Sequence, residues 1–167
     1  MALKRVRTGF PQEEALGASR AVRAGNLVFV GATSALDENG DVLHPGDAAG
    51  QVRAALAQIQ EDLSRAGAPF DRVVKTTLYV ARREDVEAVR AAHAEVFGAH
   101  RPASAILLVA GFPDPGVLVQ VEAVGALRDL GETEEETGAY IRRATKRPPQ
   151  EGQENPFRSF MPRRSPP

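Results

Sequence analysis

The stretch DAAGQVRAALAQIQEDLSRAG, residues 47–67, decides the fold. Its large apolar residues recur every three or four positions, which places them on one face of an α-helix: Val52, Leu56, Ile59 and Leu63. Asp47 can cap the start of this helix, and Gly67 suits the left-handed conformation that commonly ends one. The sequence therefore predicts a helix from Asp47 to about Ala66 that buries one apolar face against a second layer.

A second helix is predicted from Glu84 or Asp85 to Phe97, followed by Gly98. Three valines and one histidine lie at helical spacing within it: Val86, Val89, His93 and Val96. The acidic residues at its start favour the positive end of the helix dipole. This helix also has one apolar face, so it needs the same kind of support as the first.

Strand-like runs surround the two helices: Leu27–Val30, Arg72–Val80, Ala105–Val109 and Val117–Val124. The last two are separated by the turn-rich Pro113–Gly116, which predicts a hairpin. The order is then N-terminal strands, helix, strand, helix and two strands. It predicts the α+β class, with a single sheet that carries both helices on one face.

The opposite face of such a sheet has no helix to cover it. The strands Leu27–Val30 and Ala105–Val109 are apolar at successive positions, so both of their faces carry aliphatic or aromatic side chains. An exposed apolar face of this kind usually marks a partner surface. We expect self-association into a closed, symmetric homo-oligomer.

Charge divides the chain at about residue 130. Residues 1–130 hold 14 basic and 16 acidic residues, whereas the stretch from Tyr140 onward holds seven basic and two acidic ones. The latter stretch is rich in proline and arginine, and it lacks apolar periodicity. We predict one domain over residues 1–130 and a polar, disordered tail over residues 131–167.

Several classes of function are disfavoured by the composition. The chain has no cysteine, which removes disulfides and thiolate chemistry, and its three histidines lack metal-site spacing. No glycine-rich phosphate loop occurs, and no apolar run is long enough to cross a membrane. We expect a cytoplasmic protein without metal or cofactor, and the acidic balance of the domain argues against a nucleic-acid partner.

Four blocks resemble the RidA/YjgF family in order and without large gaps, over about residues 5–130: GASRAVRAGNLVFVG (17–31), VVKTTLYV (73–80), RPASA (101–105) and VQVEAV (119–124). The resemblance implies a chorismate-mutase-like fold and a homotrimer in which the sheets form a central barrel. It also implies three clefts between neighbouring subunits. In these clefts, active members hydrolyse reactive enamines or imines to 2-oxo acids and ammonia, while an arginine holds the substrate carboxylate.

This chain departs from the family's pattern at that arginine. Aligned back from Ala110–Pro113, the arginine position falls at Ser104, which is short and neutral. A tyrosine found near the first strand of many members falls at Ala18. The chain is therefore interpreted as one of a subgroup that lacks the catalytic arginine.

Glu122 is the predicted catalytic residue, because it lies in an otherwise apolar run and matches the family's glutamate. The alternative is that it only pairs with a base at a subunit interface. The predicted substrate-binding residues are Gly31, Ala32, Arg101, Ser104 and Arg20. Either Arg101 or Arg20 can bind the substrate carboxylate in place of the missing arginine, although a solvated or interface role is the simpler interpretation of both. Tyr79 is interpreted as a core or interface residue.

The tail contains one stretch in which large apolar residues alternate with arginines, NPFRSFMPRR, residues 155–164. Such a stretch can bind a protein groove as a short peptide. Three functions follow from the sequence: a trimer whose clefts bind or hydrolyse a small metabolite, a 2-iminobutanoate/2-iminopropanoate deaminase, and an adaptor trimer that recruits a partner through this stretch. A solvated tail without a partner is the alternative.

Overall fold

The computed structural model of the chain describes residues 3–127. The predicted tail and the domain boundary at residue 130 lie outside this range. The elements follow in chain order: β1 (Leu3–Val6), α1 (Pro11–Leu16), β2 (Ala21–Ala24), β3 (Leu27–Thr33), α2 (Ala48–Ala66), β4 (Val73–Val80), α3 (Val86–Phe97), β5 (Ala103–Leu108) and β6 (Val119–Ala126). No helix in the described range is both long and apolar enough to cross a membrane.

The six strands form one mixed sheet in the order β1-β2-β3-β6-β4-β5. All neighbours run antiparallel except β4 and β5, which are parallel and connected through α3. The predicted hairpin of the last two strands is wrong, because β6 lies between β3 and β4 while β5 occupies the edge beyond β4. Parallel pairing needs a crossover connection, and α3 provides it. The turn at residues 113–116 then leads the chain back past β4.

Helix α2 has the ends that the sequence predicts. The Asp47 carboxylate accepts a hydrogen bond from the Gly50 N–H at 3.0 Å, and Gly67 is left-handed at φ 91°. The four apolar residues of its predicted inner face are all fully buried: Val52, Leu56, Ile59 and Leu63. Helix α3 starts at Val86 because the preceding Arg83–Asp85 forms a single 3₁₀ turn.

Both long helices pack on the same face of the sheet, which confirms the predicted α+β arrangement. Alternate strand residues point into this layer and are buried, among them Val28, Leu78 and Val121. The residues between them point away from the helices. On that side Leu27, Phe29 and Leu107 are exposed, with Phe29 at 46%. One face of the sheet is therefore core, and the other, called here the open face, is not covered by any other element of residues 3–127.

Gly125 tests the packing of α2 on the sheet. A Cβ added to Gly125 would lie 2.8 Å from Cδ2 of the fully buried Leu63. Gly125→Ala is expected to lower the free energy of unfolding by about 1–3 kcal/mol, because Leu63 must move within a packed layer. Urea denaturation measures this change.

Gly31→Ala is the matched control. A Cβ there would lie 3.6 Å from Arg20 O and 3.9 Å from Ser19 O, which are ordinary contacts. We expect a change well below that of Gly125→Ala. Equal losses in the two variants would contradict the described packing.

Candidate functional site

A carboxylate and a phenol meet at the centre of the open face. Tyr79 lies between Leu78 and Val80, which are buried under the helices, so its side chain points to the opposite side. Its hydroxyl donates a hydrogen bond to Glu122 Oε2 at 2.9 Å. Tyr79 therefore belongs to the open face of the single chain and not to its core.

Glu122 faces an irregularity in the neighbouring strand. In the register of β3 with β6, Val30 pairs with Ala123 and Thr33 pairs with Val121. Gly31 and Ala32 are thus two residues opposite the single Glu122, which is a β-bulge. Bulges redirect side chains and interrupt strand pairing, and they are frequent beside active sites. The structure brings three predicted site residues together here.

The pair has polar neighbours, such as Thr77 opposite Glu122 in the register, as well as apolar ones. Phe29 and Leu107 are exposed on the same face, on strands that flank the pair. The hydrogen bond to Glu122, followed by partial burial, raises the pKa of Tyr79 above its usual value of 10.0. The Tyr79 hydroxyl therefore stays protonated at neutral pH and donates its hydrogen bond to Glu122 Oε2. This bond orients the Glu122 carboxylate.

Ser104 lies on the other side of the sheet. Its neighbour in the register is Thr76, which is fully buried under the helices, and the two hydroxyl oxygens are 2.7 Å apart. Glu122 instead pairs in register with Thr77. Because successive residues of a strand point to opposite faces, one chain does not bring the Ser104 and Glu122 side chains together.

A chain of hydrogen bonds runs from Ser104 to helix α3. The Ser104 hydroxyl donates to Pro102 O at 3.0 Å, so Thr76 donates to Ser104 and His93 Nε2–H donates to Thr76, at 2.8 Å. Burial lowers the pKa of His93 below its usual 6.5. The histidine is therefore neutral at pH 7, with its proton on Nε2.

The two candidate arginines occupy different surroundings. Arg20 donates twice to Asp62 Oδ2, at 3.1 and 3.2 Å, and once to Thr33 Oγ1, at 2.7 Å. Arg101 is exposed and has a left-handed backbone at φ 47°, and within residues 3–127 its guanidinium donates a single long bond, 3.3 Å to Gly98 O. Arg20 is therefore committed to a buried carboxylate, whereas most donors of Arg101 face solvent.

Arg20 and Ala32 also line a large cavity of about 940 Å³. Its walls come from α1, from residues 34–43, from one side of α2, and from residues near the ends of β3 and β6. Glu122, Tyr79 and Ser104 are not among its lining residues. Within residues 3–127, no group of acidic or histidine side chains is arranged to hold a metal ion.

Tyr79 is the site residue that the sequence reading missed. Its signal was the burial alternation of β4, where Leu78 and Val80 are the inward residues and Tyr79 must point outward. The contact with Glu122 joins residues 43 positions apart. Only the sheet order, with β6 next to β4, brings them into contact.

Known proteins similar to this chain share one family. The family model described as Endoribonuclease L-PSP matches residues 13–127. The protein SCO2049 of Streptomyces coelicolor is 40% identical over 72% of this chain and 90% of its own length. The 3-aminoacrylate deaminase RutC of Acinetobacter baylyi is 36% identical over 62% and 82%. The mouse 2-iminobutanoate/2-iminopropanoate deaminase is 32% identical over 64% and 78%.

A solved structure of a member of this family is also similar to this chain. Rv2704 of Mycobacterium tuberculosis, a member of the YjgF/YER057c/UK114 family, superposes with a TM-score of 0.67 at 36% identity. The match covers 75% of this chain and 99% of that protein. The similarity therefore extends over the whole of the relative's fold.

The Tyr79–Glu122 hydrogen bond is open to spectroscopic titration. Tyr140→Phe leaves Tyr79 as the only tyrosine, because the chain has two. In that background Glu122→Gln is expected to lower the alkaline pKa of Tyr79 towards its usual value, because the charged acceptor is lost. Ultraviolet difference absorption measures the phenolate. An unchanged pKa would mean that the two groups do not interact.

His93 predicts a pH dependence of stability. Its folded pKa lies below the unfolded value, so the unfolded chain binds more protons as pH falls below about 6.5. The neutral, buried His93 therefore contributes fully to the free energy of unfolding above about pH 6.5, and this contribution is lost as the pH falls below that value. His93→Gln is expected to unfold with a shallower loss of stability between about pH 7.5 and 5.5.

Chemical denaturation across that range measures the slope. The exposed His100, changed to Gln, provides the matched control and should leave the slope as in the unmodified chain. A slope that responds to His100→Gln and not to His93→Gln would contradict the assignment.

Proposed function

This chain belongs to the RidA/YjgF family, and on that premise we propose a homotrimer whose inter-subunit clefts bind a small metabolite and hydrolyse it at Glu122. The observation that carries the proposal is the Tyr79–Glu122 hydrogen bond on a sheet face that exposes Phe29 and Leu107 and that no other element of residues 3–127 covers. A polar pair of this kind needs a function or a partner when that face becomes buried.

The exposed side chains of the open face support assembly. Phe29 is a little under half exposed, so its further burial contributes about half of the roughly 1.5–3 kcal/mol for full burial of a large apolar side chain, and Leu27 and Leu107 add to the same surface. Strand β5 is an edge strand with exposed leucines at its end, Leu107 and Leu108. Association of three open faces would bury this surface and cover the edge.

The orientation of Glu122 suits general base catalysis. Tyr79 holds one carboxylate oxygen, Oε2, so the other is free to accept a proton from water. The bulge places Gly31 and Ala32, two small residues, opposite this carboxylate in the strand register. In this scheme Glu122 is the catalytic residue, and Gly31 and Ala32 form the wall of the binding site.

The position of Ser104 requires two subunits in each cleft. Ser104 and Glu122 point to opposite faces of one sheet, so a ligand that contacts both must lie between the Ser104 edge of one chain and the open face of another. Arg101, three residues before Ser104, has free donors for a carboxylate at this edge. We favour Arg101 over Arg20, because Asp62 and Thr33 already occupy the guanidinium of Arg20.

Hydrolysis of an imine is the reaction that these groups can perform. Glu122 takes a proton from water as the water oxygen bonds to the imine carbon, the C=N electron pair moves to nitrogen, and Glu122 returns that proton to the nitrogen. Glu122 then takes the hydroxyl proton of the carbinolamine and passes it to the nitrogen, as C=O forms, the C–N bond breaks and ammonia leaves. A 2-iminobutanoate/2-iminopropanoate deaminase is the second candidate, favoured by the activities of the RutC and mouse relatives. Partner recruitment through residues 155–164 stays a prediction of the sequence.

Ammonia release from freshly generated 2-iminobutanoate tests the reaction. We expect slow release by the unmodified chain and a loss of about 100-fold or more in Glu122→Gln, because the base is removed. Glu84→Gln, an exposed change outside the site, is the matched control and should keep the full rate. Equal rates for the two variants would exclude Glu122 as the base.

Ser104→Arg tests whether the missing carboxylate-binding arginine limits the reaction. If the cleft is otherwise complete, a guanidinium at this edge position should increase kcat/KM for the imino acid, because it adds a bidentate contact to the carboxylate. Ser104→Lys keeps the charge without the planar fork and should gain less. No gain in either variant would indicate a cleft built for a ligand without a carboxylate.

A further inference from the structure

The large cavity beside α2 has an apolar lining that is partly open to solvent. Phe10, Leu36 and Leu43 contribute to it, and Leu16 on its rim is 81% exposed. Its volume of about 940 Å³ can accommodate several large side chains. Such a lining favours an apolar occupant.

Acidic residues outnumber basic residues around the cavity. Five acidic residues and three arginines line it: Glu13, Asp37, Glu38, Glu61, Asp62, Arg7, Arg20 and Arg65. All three arginines are already engaged, Arg7 by Glu14, Arg20 by Asp62, and Arg65 by Glu61 and Asp62.

The remaining negative charge is available to a ligand. Among residues 3–127, the Glu38 carboxylate has no hydrogen bond or ion pair, whereas the buried Glu13 accepts from the backbone and hydroxyl of Thr8. The cavity therefore presents net negative charge beside apolar surface. Its complement is a segment that combines large apolar side chains with cations.

The chain itself contains such a segment in NPFRSFMPRR, residues 155–164. Three large apolar side chains, Phe157, Phe160 and Met161, alternate there with three arginines, and the segment has no acidic residue. We propose that this segment binds in the cavity beside α2, with the aromatic side chains against the apolar lining and the arginines at the acidic rim.

The length of the connection allows this contact. Twenty-seven residues lie between Leu127 and Asn155. Fully extended they span roughly 90 Å, whereas a domain of this size has a radius of gyration of about 14 Å. The tether also raises the local concentration of the segment to the millimolar range, so a weak intrinsic affinity is sufficient. Ala32 lines this cavity and also the proposed binding site, but the proposed base Glu122 does not line the cavity, so binding of the segment can be tested without reference to hydrolysis.

The absence of cysteine makes a paired-cysteine experiment direct. Full-length Gln12→Cys, Ser159→Cys places one thiol on the cavity wall and one in the segment. Under mild oxidation we expect a disulfide to form about tenfold faster or more than in Glu84→Cys, Ser159→Cys, whose first thiol is equally exposed but outside the cavity. Electrophoresis without reductant and peptide mapping measure the linkage.

Charge reversal separates specific binding from random collision. Changing Arg158, Arg163 and Arg164 to Glu should reduce the linkage rate at Gln12→Cys to that of the Glu84→Cys control, whereas changing them to Lys should largely preserve it. A disulfide within one chain and a disulfide between two chains support the proposal equally, because both join the segment of residues 155–164 to the cavity beside α2. Equal rates at the two cysteine positions, or a rate that is insensitive to charge reversal, would overturn it.

Discussion

The structure depends on one constraint: a six-stranded sheet has two faces, and residues 3–127 supply helices for only one of them. Helices α2 and α3 fill the first face with a close-packed aliphatic layer. The second face keeps Phe29, Leu27 and Leu107 in contact with solvent. Since the hydrophobic effect favours the removal of such a surface from water, the fold of the single chain is complete in its core and incomplete at its surface.

The same constraint gives Glu122 its chemistry. A carboxylate on a face that assembly would bury must keep a hydrogen-bond partner, and Tyr79 provides it at 2.9 Å. The Glu122 side chain is only half-buried in the single chain, and Tyr79 bonds one of its two oxygens. Ser104 lies on the reverse side, in a hydrogen-bonded chain to Thr76 and His93. A cleft that combines these groups must therefore join two chains, so that assembly and ligand binding are linked in the proposed function.

The sequence predicted the features that depend on local interactions and missed those that depend on contacts between residues distant in the chain. Helix α2 was predicted with its cap at Asp47 and its end at Gly67, because capping and apolar periodicity are local. The one-sided sheet also followed, since every helix had one apolar face. The hairpin of β5 and β6 was wrong, because pairing with β4 is decided by contacts between distant residues. The Tyr79–Glu122 bond was missed for the same reason: local sequence does not show that β6 lies beside β4.

Assembly through the open face is the central claim, and sedimentation equilibrium of the full chain tests it most directly. The account predicts a single species of three times the 17.9 kDa chain mass at micromolar concentration, and dissociation or insolubility when Phe29 is changed to Lys. A monomer at every concentration, with Phe29→Lys equally soluble and equally folded, would contradict it. The open face would then be a stable exposed surface, and no inter-subunit cleft would exist.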